Sequence, residues 1–66
     1  VDHLGRVIDG YVIGGVLQYH TADNLTTWNG WTTTGLSGKA AAVIVKESGE
    51  TLIRDPEDGT TFEVPA

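Results

Sequence analysis

Two tryptophans separated only by Asn29-Gly30 place the strongest local constraint on this chain. Asn-Gly is the preferred centre of a two-residue type I′ turn. Both central residues of that turn take φ > 0, which Gly does without steric cost and Asn tolerates better than most. The flanks, Leu25-Thr26-Thr27-Trp28 and Trp31-Thr32-Thr33-Thr34, are rich in residues that suit a pleated surface. The expected hairpin sets Trp28 opposite Trp31, Thr27 opposite Thr32, Thr26 opposite Thr33 and Leu25 opposite Thr34. Both indoles then share one face as a cross-strand pair, worth about 0.2–1 kcal/mol over an Ala pair.

Ahead of this hairpin lies an opening segment, residues 1–6, with Asp2, His3 and Arg6, and then the longest apolar tract, residues 7–20. The tract has a helical stripe in Leu4, Ile8, Val12, Val16 and Tyr19. It also has a period-two pattern in Val7, Tyr11, Ile13, Leu17 and Tyr19 against Ile8, Val12 and Val16. Gly5, Gly10, Gly14 and Gly15 favour strands, since each interior Gly costs a helix about 1 kcal/mol against Ala. The pattern predicts strands over 6–13 and 16–20, joined at a bend or bulge at Gly14-Gly15; a single bent strand is the alternative. Apolar residues on both faces point to a strand covered on two sides.

Residues 21–24 read as a loop before the Trp hairpin, and Gly35-Leu36-Ser37-Gly38 as a second loop. A strand follows over 40–46, with Ala42 and Ile44 on one face and Ala41, Val43 and Val45 on the other. Its small Ala side chains leave room for something bulky, and the indoles are candidates. Glu47-Ser48-Gly49-Glu50 has the composition of a hairpin loop with Gly49 at the αL position of a type I turn plus G1 bulge. Residues 51–54 return, and Asp55-Pro56-Glu57-Asp58-Gly59 makes another turn, with Pro56 preset at its second position. Over 60–64, Phe62 and Val64 face inward and Thr61 and Glu63 outward, before Pro65 ends the pairing. The expected fold is a single small all-β domain over residues 1–66. It is an antiparallel barrel or sandwich of about six short strands in a meander of hairpins, with no substantial helix.

Size then restricts how such a fold is stabilised. The 66 residues contain no Cys, so neither a disulfide nor a thiolate metal site is available. Apolar burial at about 25 cal/mol per Å², set against about 1.5 kcal/mol per ordered residue, comes out near zero for such a chain. Closure into a barrel, or burial against another chain, is therefore expected. Charge excludes other classes of function: four Lys and Arg stand against nine Asp and Glu, a net −5. Phosphate neutralisation and attraction to anionic lipid both need a basic patch that four scattered cations do not supply, so neither nucleic acid nor membrane is an expected partner. No apolar run reaches transmembrane length and no charged-then-apolar leader opens the chain. Production in the cytoplasm or within a virion fits better than secretion, although Val1 suits a trimmed pro-protein as well.

Catalytic and metal-binding patterns are sparse. His20 and Asp23 sit three apart, and a third ligand such as His3 would have to come from elsewhere in the fold. The acidic run from Asp55 fails the calcium-loop spacing, because Gly59 falls at position 5 and Glu63 at 9 instead of 6 and 12. Ser37 and Ser48 have no sequence-visible base, and Gly14-Gly15 and Gly35-x-x-Gly38 lack the Lys and helix start of a phosphate loop. The expectation is a non-enzyme with no catalytic residue, no metal and no cofactor.

Thr27-Trp28-Asn29-Gly30, followed by Gly38-Lys39-Ala40-Ala41-Ala42-Val43-Ile44-Val45, resembles the small β-rich head-decoration proteins of tailed phages. The likeness covers only these residues and carries over no residue roles. It implies a capsid or tail accessory protein. The leading expectation is a structural subunit that packs into a homo-oligomer or larger protein assembly, with Trp28, Trp31, Tyr11 and Tyr19 as contact residues. An acidic protein-binding module or nucleic-acid mimic, presenting Glu47, Glu50, Asp55, Glu57, Asp58 and Glu63, is the first alternative. A carbohydrate-binding β domain that uses the Trp pair is the second.

Overall fold

A computed structural model describes residues 1–24 and 27–65. Among these residues there are six strands and no helix: β1 (Val7–Ile13), β2 (Val16–Ala22), β3 (Thr32–Ser37), β4 (Ala42–Val45), β5 (Thr51–Arg54) and β6 (Thr61–Glu63). They form two antiparallel three-stranded sheets, β1-β2-β3 and β4-β5-β6. No ladder joins one sheet to the other among the described residues, so they do not close into a barrel.

The type I′ turn expected at Asn29-Gly30 is absent. Neither residue has positive φ. The conformation occurs at Gly14-Gly15 instead, with φ of 60° and 78°, joining β1 to β2 with Ile13 paired to Val16. The bend expected there is therefore a tight hairpin, and the apolar tract is two strands. Gly is needed at both turn positions, since an L-residue with φ > 0 costs about 1–2 kcal/mol. Asn29 is committed elsewhere: its backbone N–H donates to the Thr21 carbonyl at 2.8 Å and its Nδ2 to Thr21 Oγ1 at 3.0 Å. The chain has reversed before this point, because Trp28 already bridges Ala22. From Trp28 onward it runs antiparallel along β2, pairing Thr32 with Tyr19 and Thr33 with Gln18. The expected register of Thr27 opposite Thr32 and Trp28 opposite Trp31 is replaced by this one. Leu25 and Thr26 lie outside the described residues.

Two expected loops also prove to be strand. Thr21 and Ala22 extend β2, and Gly35, Leu36 and Ser37 belong to β3, where a bulge at Gly35 (φ 73°) absorbs the extra residues. Within this bulge the Thr34 hydroxyl donates to the Leu17 carbonyl at 2.8 Å and accepts the Leu36 N–H at 3.1 Å. The second sheet follows the sequence reading closely. Gly49 has φ 94°, its N–H donates to the Lys46 carbonyl, and the Lys46 N–H donates to the Glu50 carbonyl, as the expected turn plus bulge requires. At the next turn the Asp55 N–H donates to the Thr60 carbonyl, the Gly59 N–H donates to the Asp55 carbonyl, and Gly59 has φ 80°.

Leu17, Tyr19, Ile53 and Val64 form the buried core, with Ile8, Val12, Leu36, Ala41, Val43 and Phe62 packed against it. Residues of both sheets contribute, and Tyr19 meets Phe62 with ring centroids 6.0 Å apart. Strand β2 is central in its sheet but covered on one face only. The face opposite the core carries Tyr11 and Ile13, both exposed. Two carboxylates organise the connections. Asp2 accepts the N–H groups of Leu4 and Arg6 and is clamped by Arg6 Nε and Nη2, each at 2.8 Å. Asp55, 1% exposed, accepts the N–H of Lys39 at 2.9 Å on one oxygen and that of Glu57 at 2.8 Å on the other. The neighbouring Gly38 is forced by this packing, since a Cβ there would lie 2.7 Å from Leu17 Cδ2 and 3.0 Å from Asp55 Oδ2.

Candidate functional site

Alternation along β1 and β2 sorts side chains onto two faces, and the β1–β2 register places Val7, Asp9, Tyr11 and Ile13 beside Ala22, His20, Gln18 and Val16. Ile8, Val12, Leu17 and Tyr19 point into the core, so this first set makes up the outer face of the sheet. The third segment completes it. Thr32 pairs with Tyr19, so one residue earlier Trp31 stands beside His20, and Trp28 bridges Ala22 on the other side. His20 is thereby enclosed by two indoles.

The ring geometry is close to parallel. His20 stacks on Trp31 with centroids 3.8 Å apart at 11°, and on Trp28 at 4.1 Å and 18°. Tyr11 meets the Trp31 ring edge-on, at 5.5 Å and 80°. The result is a row, Tyr11–Trp31–His20–Trp28, lying across the outer face. Three of its members stay open to solvent: Tyr11 is 55% exposed, Trp28 43% and Trp31 42%. Ile13, at 40%, extends the apolar surface past Tyr11 toward the Gly14-Gly15 turn. Offset and edge-to-face aromatic pairs are each worth about 0.5–1.5 kcal/mol beyond their burial, so the row holds its shape without a core beneath it.

Three of the four expected contact residues, Trp28, Trp31 and Tyr11, thus come together. The fourth does not: Tyr19 is 8% exposed, on the opposite face of β2, and belongs to the core. Ile13 and His20 were not expected on this surface. The signal for Ile13 was its period-two relation to Tyr11, which alternation alone cannot assign to a covered or an open face. That for His20 was its even position beside Gln18, which places both on the face away from Leu17 and Tyr19.

The acidic residues separate into different environments. Glu47, Glu57, Asp58 and Glu63 are exposed, and Glu50 is half-buried and pairs with Lys46 at 3.7 Å. Asp55 is not on the surface at all. Its hydrogen bonds from the Lys39 and Glu57 N–H groups outweigh its burial and hold its carboxyl below the usual carboxylate range. Both of its oxygens accept N–H donors, so this loop is stabilised from within and its carboxylate is not aimed at a cation. Burial pushes the Asp2 carboxyl up, but the backbone and guanidinium of Arg6 and the Leu4 N–H together hold it below its ordinary value.

Other candidate side chains make separate hydrogen bonds. His3 Nδ1 lies 2.7 Å from Thr51 Oγ1, which also accepts the His3 N–H, far in sequence from His20. Ser48 Oγ donates to Glu50 Oε1 at 3.1 Å, within one hairpin. No group of three or more His, Asp or Glu able to hold a metal occurs among the described residues. An open cleft of about 280 Å³ runs beside His3, Glu50, Glu63 and Pro65, and another of about 300 Å³ beside Gly15, Ser37, Lys39 and Asp58. Neither contains a member of the aromatic row.

No protein-family model matches the chain, and neither do curated protein sequences or solved structures yield a significant match.

Proposed function

We propose that this chain is a non-enzymatic structural subunit that packs into a larger protein assembly, such as a virion accessory protein, through the outer face of the β1-β2-β3 sheet. The observation that carries the proposal is the exposed row Tyr11–Trp31–His20–Trp28. Trp and Tyr are enriched at the centres of protein interfaces, and a row already stacked loses little side-chain entropy on docking. We read the two sheets as an open sandwich with β1 over β4 and β2 over β5. The 15 Å thin dimension supports that reading, as does the close approach of the second sheet over Gly10, where a Cβ would come 3.3 Å from Val43 Cγ2. In so small a sandwich, covering the outer face supplies apolar burial that the core alone lacks.

The same geometry weighs against the two rivals. A sugar stacks on a free indole face, but Trp31 has His20 on its ring and Tyr11 against it, and one side of Trp28 is taken by His20. An acidic mimic needs a continuous anionic surface, from which Asp55 is withdrawn and in which Glu50 is paired.

Size-exclusion chromatography with light scattering, on the chain isolated under native conditions from its source, tests the proposal. The chain is expected in a complex well above its own 7.0 kDa, and a Trp28→Ala/Trp31→Ala variant is expected to leave that complex while staying folded. A native chain found only as a free monomer overturns the reading.

A further inference from the structure

Strand β1 is an edge strand with a single neighbour, β2. The two-residue turn at Gly14-Gly15 makes Ile13–Val16 a hydrogen-bonded pair, and the pairs then alternate along the ladder. Tyr11, Asp9 and Val7 therefore exchange hydrogen bonds with β2, while the N–H and C=O groups of Ile8, Gly10 and Val12 point away from it. Strand β2 agrees with this phase: the carbonyls of Leu17 and Thr21, opposite Val12 and Ile8, accept bonds from the β3 side.

Other sheet edges are short or distorted. Strand β3 carries the Gly35 bulge, β4 has four residues and β6 has three. Strand β1 has seven residues in unbroken register, no Pro and one charge, Asp9. A long, flat, weakly charged edge is a template for another strand.

Its sequence, Val7-Ile8-Asp9-Gly10-Tyr11-Val12-Ile13, is symmetric in character about Gly10. We propose that β1 pairs antiparallel with β1 of a second copy of this chain about a two-fold axis at Gly10, joining the two three-stranded sheets into one. The inference deepens the assembly reading by naming one partner, and it uses the sheet edge, not the outer face. In this register Ile8 meets the partner's Val12 and Gly10 meets the partner's Gly10. These are the residues whose backbone groups point outward, so each pair exchanges two N–H···O=C bonds, about six in all. The flanking pairs are complementary as well. Val7 sits beside the partner's Ile13, and Asp9 sits beside the partner's Tyr11, carboxylate against phenolic hydroxyl. Because Asp9 lies off the axis, it never faces its own copy. A shift of two residues along either strand loses this match, placing Asp9 opposite the partner's Asp9 or opposite Ile13.

Substitutions at Tyr11 test the register, because its side chain is largely exposed and any replacement removes the same contact with Trp31. In sedimentation equilibrium on the purified chain, the wild type is expected to form a dimer. Tyr11→Asp sets Asp9 against an aspartate twice across the axis and should weaken the dimer by about tenfold or more. Tyr11→Lys sets Asp9 against a cation twice and should keep the dimer, with a new sensitivity to salt. Circular dichroism and tryptophan emission verify that both variants fold. In a mixed-isotope sample of wild type, an intermolecular contact between Asp9 Hα and Tyr11 Hα should appear, since these face each other in a non-hydrogen-bonded pair. A monomeric wild type, equal behaviour of the two variants, or absence of the Asp9–Tyr11 contact overturns the pairing. None of these results bears on docking of the outer face, which the native-source assembly decides separately.

Discussion

Strand β2 carries rings on both faces in different surroundings. Tyr19 points inward and packs on Phe62 of the other sheet, within a core that includes Leu17 and Ile53, both 0% exposed. His20, the next residue, points outward and meets only rings of its own sheet, Trp28 and Trp31. The inner ring joins the two sheets. The outer rings stack on one another, and Tyr11, Trp28 and Trp31 remain about half exposed. Aromatic content in a small β domain is therefore not a measure of its core: half-exposed indoles can be rigid because they pack sideways along the sheet. This is why the outer face presents a shaped surface, and why altering it should affect association more than folding.

The largest expected effect breaks the inner side. Leu17→Ala should cost about 2–5 kcal/mol, against a total stability of about 3–10 kcal/mol for a chain of this size. Urea unfolding followed by circular dichroism should show a midpoint shifted far down, or an unfolded chain. A loss near that of a surface substitution would mean that Leu17 is not core.

Asp55→Asn comes next and acts through the connection that crosses from β3 to the second sheet. The folded carboxyl is held below its unfolded value of about 3.9. Its contribution is therefore complete above that value and is lost as pH falls through the lower folded one. The variant should be less stable at neutral pH and show a shallower loss of stability below about pH 4. Thermal melts from pH 7 to pH 2 measure both.

A pair of glycine substitutions sharpens the turn assignment. Gly15→Ala should cost about 1–2 kcal/mol, the penalty for an L-residue at φ 78°. Gly30→Ala should fall within about 0.5 kcal/mol of wild type, because Gly30 has ordinary φ and nothing within 4 Å of a Cβ. Chemical denaturation of both variants distinguishes the observed fold from a hairpin centred on Asn29-Gly30, for which the ranking would be reversed.

That contrast also marks how far the sequence could be read. Strand content and every turn of the second sheet followed from local chemistry, because Gly49, Pro56 and Gly59 act within their own turns. The first sheet was harder, since two sites could host the same turn and the choice depended on partners. Asn29 bonds to Thr21, eight residues away, and no local rule contains that contact. Trp28, Trp31 and Tyr11, the residues that the sequence singles out as candidate contacts, are all exposed in the structure. Tyr19 was misassigned because alternation gives two faces without saying which is covered. Asp55 was misassigned because a turn acid looks the same in sequence whether it faces water or caps Lys39.

On the outer face the expected effect on stability is below that in the core. Trp31→Ala removes the contacts to both His20 and Tyr11, at about 0.5–1.5 kcal/mol each, and should still cost less than Leu17→Ala. Near-ultraviolet circular dichroism should lose the signal of the stacked rings while the far-ultraviolet spectrum is kept. A cost as large as that of Leu17→Ala would place Trp31 in the core.

Hydroxyl-radical footprinting tests the contact surface most directly, by comparing the chain in its native-source assembly with the same chain alone. Side-chain oxidation at Trp28, Trp31 and Tyr11 should drop several-fold in the assembly, while Phe62 keeps the same low level in both. Equal oxidation of the three exposed rings in the two samples would contradict docking through the outer face.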